Sequence, residues 1–166
     1  MAVANLIRVL LVDDHALVRQ GLRSALQSYP NIQVVGEAKD GESAVMRATQ
    51  LQPTVVVMDV NMRSRLDGIM ATQVIKRRHP QMVVLGFSVD PKSYLVHAME
   101  AAGAFEVLSK DTPMHDLYGA IQRAVAAIQP ILLLKDTSAS DESAFSNPKD
   151  VLPVKEVTES ESGSEH

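Results

Sequence analysis

Four apolar runs in this chain of 166 residues each lead into side chains able to hold a metal ion or a phosphoryl group: Asp13 with Asp14, Asp59, Ser88, and Lys110. Mg2+ wants oxygen ligands in an octahedron and keeps several waters, so one or two carboxylates plus a phosphate oxygen suffice to bind it. The Asp13-Asp14 pair suits that role, although an Asp pair also caps helices and this one precedes a helix-like stretch near His15. Asp59 sharpens the reading, because it ends a continuous apolar run, Val55 to Met58, of the kind that forms a strand covered on both faces. Three neighbouring carboxylates raise one another's pKa unless a cation lies among them. Lys110 is the available counter-charge, unless it is only a solvated loop lysine. Ser88 adds a hydroxyl able to donate to a phosphoryl oxygen. The set points to a phosphorylation site if the chain brings its members together.

The elements that must do so alternate. Strand-like runs are expected at Leu6 to Val12, Gln33 to Ala38, Thr54 to Asp59, Met82 to Ser88 and Phe105 to Leu108, each followed by an amphipathic stretch. This predicts an α/β fold, a doubly wound five-stranded parallel sheet flanked by five helices, whose functional crevice lies beyond the carboxyl ends of the strands. Leu17, Gly21, Leu22, Ala25 and Leu26 form one helical stripe and Leu66, Met70, Val74 and Ile75 another, both read as core faces. Asp90-Pro91 and Thr112-Pro113 place a capping side chain before a proline at the first helical position, and Gly103 supplies a helix stop. Gln129-Pro130 marks the end of the fifth helix, so the domain is expected to cover 1–130 and an acidic, serine-rich tail 131–166.

Length and composition fit that division. A chain with 46% hydrophobic residues and no cysteine supports one cored domain and no thiol chemistry. The net charge of −4 conceals an asymmetry: from Asp136 onward eight acids face two lysines, leaving 12 acids and 14 bases upstream. A segment this rich in Ser, Glu and Asp is expected to be disordered, to serve as a linker, and not to bind nucleic acid. The run Ile131-Leu132-Leu133-Leu134 before it is a last helical turn, a docking edge or a partner contact, with local packing the simplest option. The N-terminal apolar stretch is too short for a membrane span or signal sequence, which makes a cytoplasmic protein the expectation.

The segments LLVDDHALVRQGLRSAL from Leu10, VVGEAKDGESAV from Val34, VVVMDVNM from Val55, LGFSVD from Leu85 and AGAFEVLSKDTP from Ala102 resemble the receiver domain of bacterial two-component response regulators. Their wording is most similar to the receivers of LuxR-type regulators. The resemblance implies a flavodoxin-like domain in which Asp59 accepts a phosphoryl group from a histidine kinase or phosphotransfer protein. It implies that Asp14, Asp59 and the backbone carbonyl of Asn61 bind Mg2+, with Asp13 acting through bound water. Lys110 would grip a phosphoryl oxygen, and Ser88 would move its hydroxyl to it and so shift the fourth helix and fifth strand. The output would be a protein-interaction surface with a partner, or a homodimer, and the domain would not be an enzyme in the ordinary sense.

Three departures qualify the resemblance. Val107 stands where the family usually has an aromatic residue, with Phe105 two positions away on the same strand face. The loop after Asp59 reads Asn61-Met62-Arg63-Ser64-Arg65-Leu66-Asp67-Gly68, with Arg63 for the usual proline and one residue more than usual; without proline it is expected to be less restrained. Arg63 and Arg65 either contact a phosphoryl group or partner, or are solvated. No recognition helix can be drawn after the receiver, so the protein is either a stand-alone receiver or part of something longer. An atypical receiver binding partners regardless of phosphate is the alternative. A Mg2+-dependent phosphohydrolase of the haloacid-dehalogenase kind would need an acid where Asn61 stands, and an amide cannot supply that proton. His15, His79, His97 and His115 show no metal-ligand spacing and are read as surface residues; Lys76 to His79 is read as the cationic end of a helix.

Overall fold

The structure, a computed structural model, describes residues 5–138. In chain order it comprises β1 (Ile7–Val12), α1 (Ala16–Leu26), β2 (Ile32–Ala38), α2 (Gly41–Leu51), β3 (Val55–Asp59), α3 (Gly68–Arg78), β4 (Val83–Ser88), α4 (Ser93–Ala101), β5 (Glu106–Ser109) and α5 (Met114–Ser138). All five strands are parallel in the order β2-β1-β3-β4-β5. The expected strands are present with bounds shifted by a residue, and their continuous hydrophobicity follows from burial on both faces.

Alternate side chains of β1 divide the core. Ile7, Val9 and Leu11 pack with Leu22 and Leu26 of α1 and with Leu117, Ile121 and Ala124 of α5. Leu10 and Val12 pack on the opposite face with Ala44 and Ala48 of α2, Ala71 and Ile75 of α3, and Met99 of α4. This two-residue period places α1 and α5 on one side and α2, α3 and α4 on the other.

Both expected helix stripes hold in part: Leu22, Leu26 and Ile75 are buried as expected, and other members are not. Leu17 is 82% exposed and Gly21 is exposed; the inward row of α1 runs through Val18, Leu22 and Leu26, one position round the helix. In α3 the buried row is Gly68, Ala71, Thr72 and Ile75, with Met70 exposed and Leu66 in the loop before the helix. Small residues let α3 lie close to the sheet, and the eye seeking large apolar residues picks the neighbouring row.

Helix ends follow the chemistry in part. Lys92 rather than Asp90 is the N-cap of α4, and no side chain caps it. Asp90 instead accepts the Lys92 N–H through its backbone carbonyl at 2.8 Å. The first bonds of α5 run to the Pro113 carbonyl, one residue beyond Thr112. Gly103 stops α4 as expected: its φ is +107°, its N–H donates to Glu100, and the Ala104 N–H donates to Met99, the paired bonds of a left-handed C-terminal cap. α5 does not end at Gln129-Pro130 but continues through Pro130 to Ser138. Pro130 and Ala126 both face outward, so water can serve the carbonyl that loses its N–H partner. Residues 131–138 are expected in the tail, with disorder from 136 on, yet they continue α5 as helix, because the helix carries on past Pro130; the rest of the expected disorder, 139–166, lies outside the described residues.

Candidate functional site

The strand order reverses at β1 and β3, because the chain leaves β1 for β2 on one side and returns to β3 on the other. At such a switch point the flanking loops diverge and open a crevice. Asp13 and Asp14 follow β1 and Asp59 ends β3, so the three acids flank this crevice from adjacent strands.

Lys110 reaches them from beyond β5. Its Nζ donates to Asp13 Oδ2 at 2.5 Å and lies 3.3 Å from Asp59 Oδ2. The lysine side chain is 12% exposed and those of Asp13 and Asp59 are 1% and 3% exposed, so this ammonium is no solvated loop charge. The Asp59 carboxyl is nevertheless held above its ordinary range, first by burial and then by the Asp13 charge. The Asn61 N–H, which donates to Asp59 Oδ1 at 3.1 Å, and Lys110 oppose that rise.

The two adjacent aspartates differ. Both oxygens of Asp13 are engaged, Oδ1 by the His15 N–H at 2.8 Å and Oδ2 by Lys110. Asp14 accepts the Arg63 N–H at Oδ2, 3.4 Å away, while its Oδ1 is sealed from solvent and accepts no hydrogen bond. Neither aspartate is the N-cap of α1; His15 holds that position and makes no side-chain cap. Behind Asp13, the Arg19 guanidinium donates to its backbone carbonyl at 2.6 Å and to Glu37 at 3.1 Å, and Arg23 donates to the other Glu37 oxygen at 2.6 Å.

Ser88 is fully buried at the end of β4, and its hydroxyl accepts from the Asn61 side-chain amide at 3.2 Å. The Lys110 N–H donates to the Ser88 carbonyl at 2.7 Å, which ties the ends of β4 and β5. Val107 is half-buried against the cluster containing Val84 and Met99, whereas Phe105 is exposed.

The loop after β3 is held without proline. Met62 is buried in the core, the Ser64 hydroxyl donates to the Leu66 carbonyl, and Asp67 caps α3 by accepting the Met70 N–H at 2.9 Å. Gly68 closes the loop against the active strand: a Cβ there would stand 2.0 Å from the Asp59 carbonyl oxygen. Arg63 and Arg65 are exposed.

One site residue escaped the sequence reading. His15 is exposed, as expected of a surface histidine, yet its Nδ1 lies 2.8 Å from Asp14 Oδ1 and 3.2 Å from Asp13 Oδ1. One ligand atom from each of Asp13, Asp14, His15 and Asp59 falls within 4.8 Å of the others. Its position directly after the aspartates was the available signal. Lys76 is likewise more than a helix-end charge, donating to the Pro80 and Met82 carbonyls at 2.7 Å each.

A five-stranded 2-1-3-4-5 sheet with acids at the switch point and a lysine just beyond the last strand defines a class, and comparison with known proteins agrees. Residues 9–122 match the family model described as the response regulator receiver domain, and the chain belongs to this family. It is 34% identical over 155 residues to the response regulator GacA of Pseudomonas protegens, covering 92% of this chain and 72% of that protein. It is 40% identical over 121 residues to the transcriptional regulatory protein LiaR of Bacillus subtilis, covering 72% of this chain and 56% of LiaR. The crystal structure of a LuxR-family two-component response regulator from Aurantimonas superposes with a TM-score of 0.69 at 32% identity, covering 72% of this chain and 85% of that one. Receiver domains are signalling domains of two-component systems rather than classical enzymes. Among the described residues no helix is long and apolar enough to cross a membrane.

Proposed function

We propose that Asp59 accepts a phosphoryl group from a histidine kinase or phosphotransfer protein and that the change redirects a protein-interaction surface. The observation that carries this reading is a buried Asp59 carboxylate with Lys110 at 3.3 Å and Asp13 and Asp14 beside it at the switch point.

An all-oxygen hard-metal site fits these residues. Asp13 has both oxygens occupied, so spare coordinating capacity lies on Asp14 Oδ1, which is buried and accepts no hydrogen bond among the described residues, and on Asp59. Asp14, Asp59 and the Asn61 carbonyl would hold Mg2+, with Asp13 acting through water. Bound there, Mg2+ supplies charge neutralisation for the incoming phosphoryl group. An Asp59 oxygen attacks phosphorus in line, the new P–O bond forms as the P–N bond to the donor histidine breaks, and Lys110 leaves Asp13 to meet a phosphoryl oxygen. Ser88 must release the Asn61 amide to turn its hydroxyl toward the same group. That movement tugs on β4, β5 and α4 through the Ser88–Lys110 backbone bond.

In this reading the receiver unit runs through α5 to residue 138, the chain after it is a linker, and the protein acts in the cytosol through a protein partner or a second copy of itself, without contacting nucleic acid. Val107 and the proline-free loop favour a second reading, a receiver that binds its partner regardless of phosphate. Intact mass after incubation with Mg2+ and acetyl phosphate, and beryllofluoride binding by NMR, decide between them. A phosphoryl adduct and shifts that vanish in Asp59→Asn support the first; neither signal in the wild type overturns it in favour of the second.

A further inference from the structure

We infer that Arg19 is a positioning residue for the phosphorylation site: it holds the peptide unit that joins Asp13 to Asp14 and so fixes where both carboxylates point. The inference rests on the reading of Asp14 and Asp59 as a metal site. The Arg19 guanidinium donates to the Asp13 backbone carbonyl at 2.6 Å. Because the peptide unit is planar, turning it changes ψ of Asp13 and φ of Asp14 together and re-aims both side chains. The Asp13 N–H donates to the Ala38 carbonyl at 3.1 Å, so the residue is anchored on both sides of its Cα.

Arg19 is itself held. Its Nε donates to one Glu37 oxygen at 3.1 Å, and Arg23 donates to the other at 2.6 Å. The Arg19 side chain is only 17% exposed. Its planar fork thus serves a carboxylate and a neutral carbonyl at once, which the point charge of a lysine cannot do in the same geometry. Charge pairing alone accounts for the Glu37 bond and leaves the bond to Asp13 unexplained.

The proposed phosphotransfer gives that bond a use. When Lys110 leaves Asp13 Oδ2, the Asp13 carboxylate keeps the His15 N–H on Oδ1 and loses its ammonium partner. The bond from Arg19 is made to the backbone, so the turn keeps its shape while the side-chain contacts change.

The sign of the expected effect separates positioning from charge. Removing a cation beside a Mg2+ site lessens repulsion, so charge alone would raise Mg2+ affinity. Loss of a group that orients metal ligands lowers it, typically by about 10–100-fold.

The test is Mg2+ titration of the full chain followed by NMR, with urea melts to establish folding, for wild type, Arg19→Gln, Arg19→Lys, Arg23→Gln and Asp59→Asn. Arg19→Gln is expected to weaken Mg2+ binding about tenfold and Arg19→Lys about threefold. Arg23→Gln breaks the same ion-pair network without touching Asp13, and its Mg2+ affinity should stay within about twofold of wild type. Should Arg19→Gln fail to fold, Arg19→Lys carries the comparison. Mg2+ affinity in the folded Arg19 variants equal to or above wild type overturns the inference and leaves the metal site standing, as does an equal loss in Arg23→Gln. No Mg2+ binding that Asp59→Asn abolishes overturns both.

Discussion

Replacing Lys110 by methionine tests whether the acids are desolvated as their geometry requires. Methionine fills the same channel without charge, so it removes the ammonium from 2.5 Å of Asp13 and 3.3 Å of Asp59 and opens no cavity. Two carboxylates with side chains 1% and 3% exposed are then left with their main counter-ion gone. Breaking a buried ion pair by deleting one partner costs about 3–5 kcal/mol, and because Lys110 keeps some water contact the expected loss is about 3 kcal/mol. With a urea m value of about 1.5 kcal/mol/M, the midpoint at neutral pH should fall by about 2 M. The sign of the pH dependence is also set. A carboxyl whose folded pKa is raised binds protons more readily folded than unfolded, so acidification through that raised value adds stability. The variant's deficit should shrink as pH falls through the raised Asp59 value toward the ordinary 3.8. Adding Asp13→Asn should recover much of the loss by removing one uncompensated charge. Urea melts with Lys110→Met across this range decide the matter. A loss below about 1 kcal/mol, or one independent of pH, would refute the claim that Lys110 neutralises a desolvated acid cluster.

Three further outcomes follow from single features. Gly68→Ala should destabilise the domain by about 1–3 kcal/mol in thermal unfolding, since its Cβ meets a backbone oxygen that cannot step aside. Leu22→Ala should cost about 2–4 kcal/mol while Leu17→Ser stays within about 0.5 kcal/mol, and equal losses by denaturant titration would restore the discarded stripe. Glu37 is held below its ordinary 4.5, first by the Arg23 hydrogen bond, so its contribution is complete above that value and disappears as pH falls through the lower folded value. Glu37→Gln should therefore weaken the protein at neutral pH and converge with wild type in acid, read from urea midpoints at the two extremes.

The strands were legible because burial on both faces leaves a plain trace, an unbroken apolar run ended by a polar residue, and Val55 to Asp59 shows it in full. Helix faces were harder. Leu17 and Leu22 look equivalent at helical spacing, but the inward row is decided by where the sheet lies, and Val18 sits on it while Leu17 does not. In α3 the deciding residues are Gly68, Ala71 and Thr72, whose small size is itself the packing signal and which hydrophobicity alone passes over. Asp90 and Pro130 misled for a related reason. Each carries a local preference for a helix boundary, and in each case neighbouring backbone geometry set the boundary elsewhere.

The site divides along the same line. That a strand end carries an acid, a hydroxyl or a lysine is a property of one segment, and all five were found that way. How those residues partition their bonds is a property of the assembled crevice. Asp13 and Asp14 are chemically identical neighbours, yet the direction of the chain leaving β1 buries the first against Lys110 and leaves an oxygen of the second without a partner. His15 follows from the same turn: as the N-cap of α1 it has extended backbone, and this swings its ring back over the acids instead of out along the helix. A residue type that signals nothing by spacing becomes part of the site because the turn after β1 is tight. The histidine's contacts with Asp13 and Asp14 therefore depend on the same turn as the split between the two aspartates, and a substitution that loosens this turn should disturb both together.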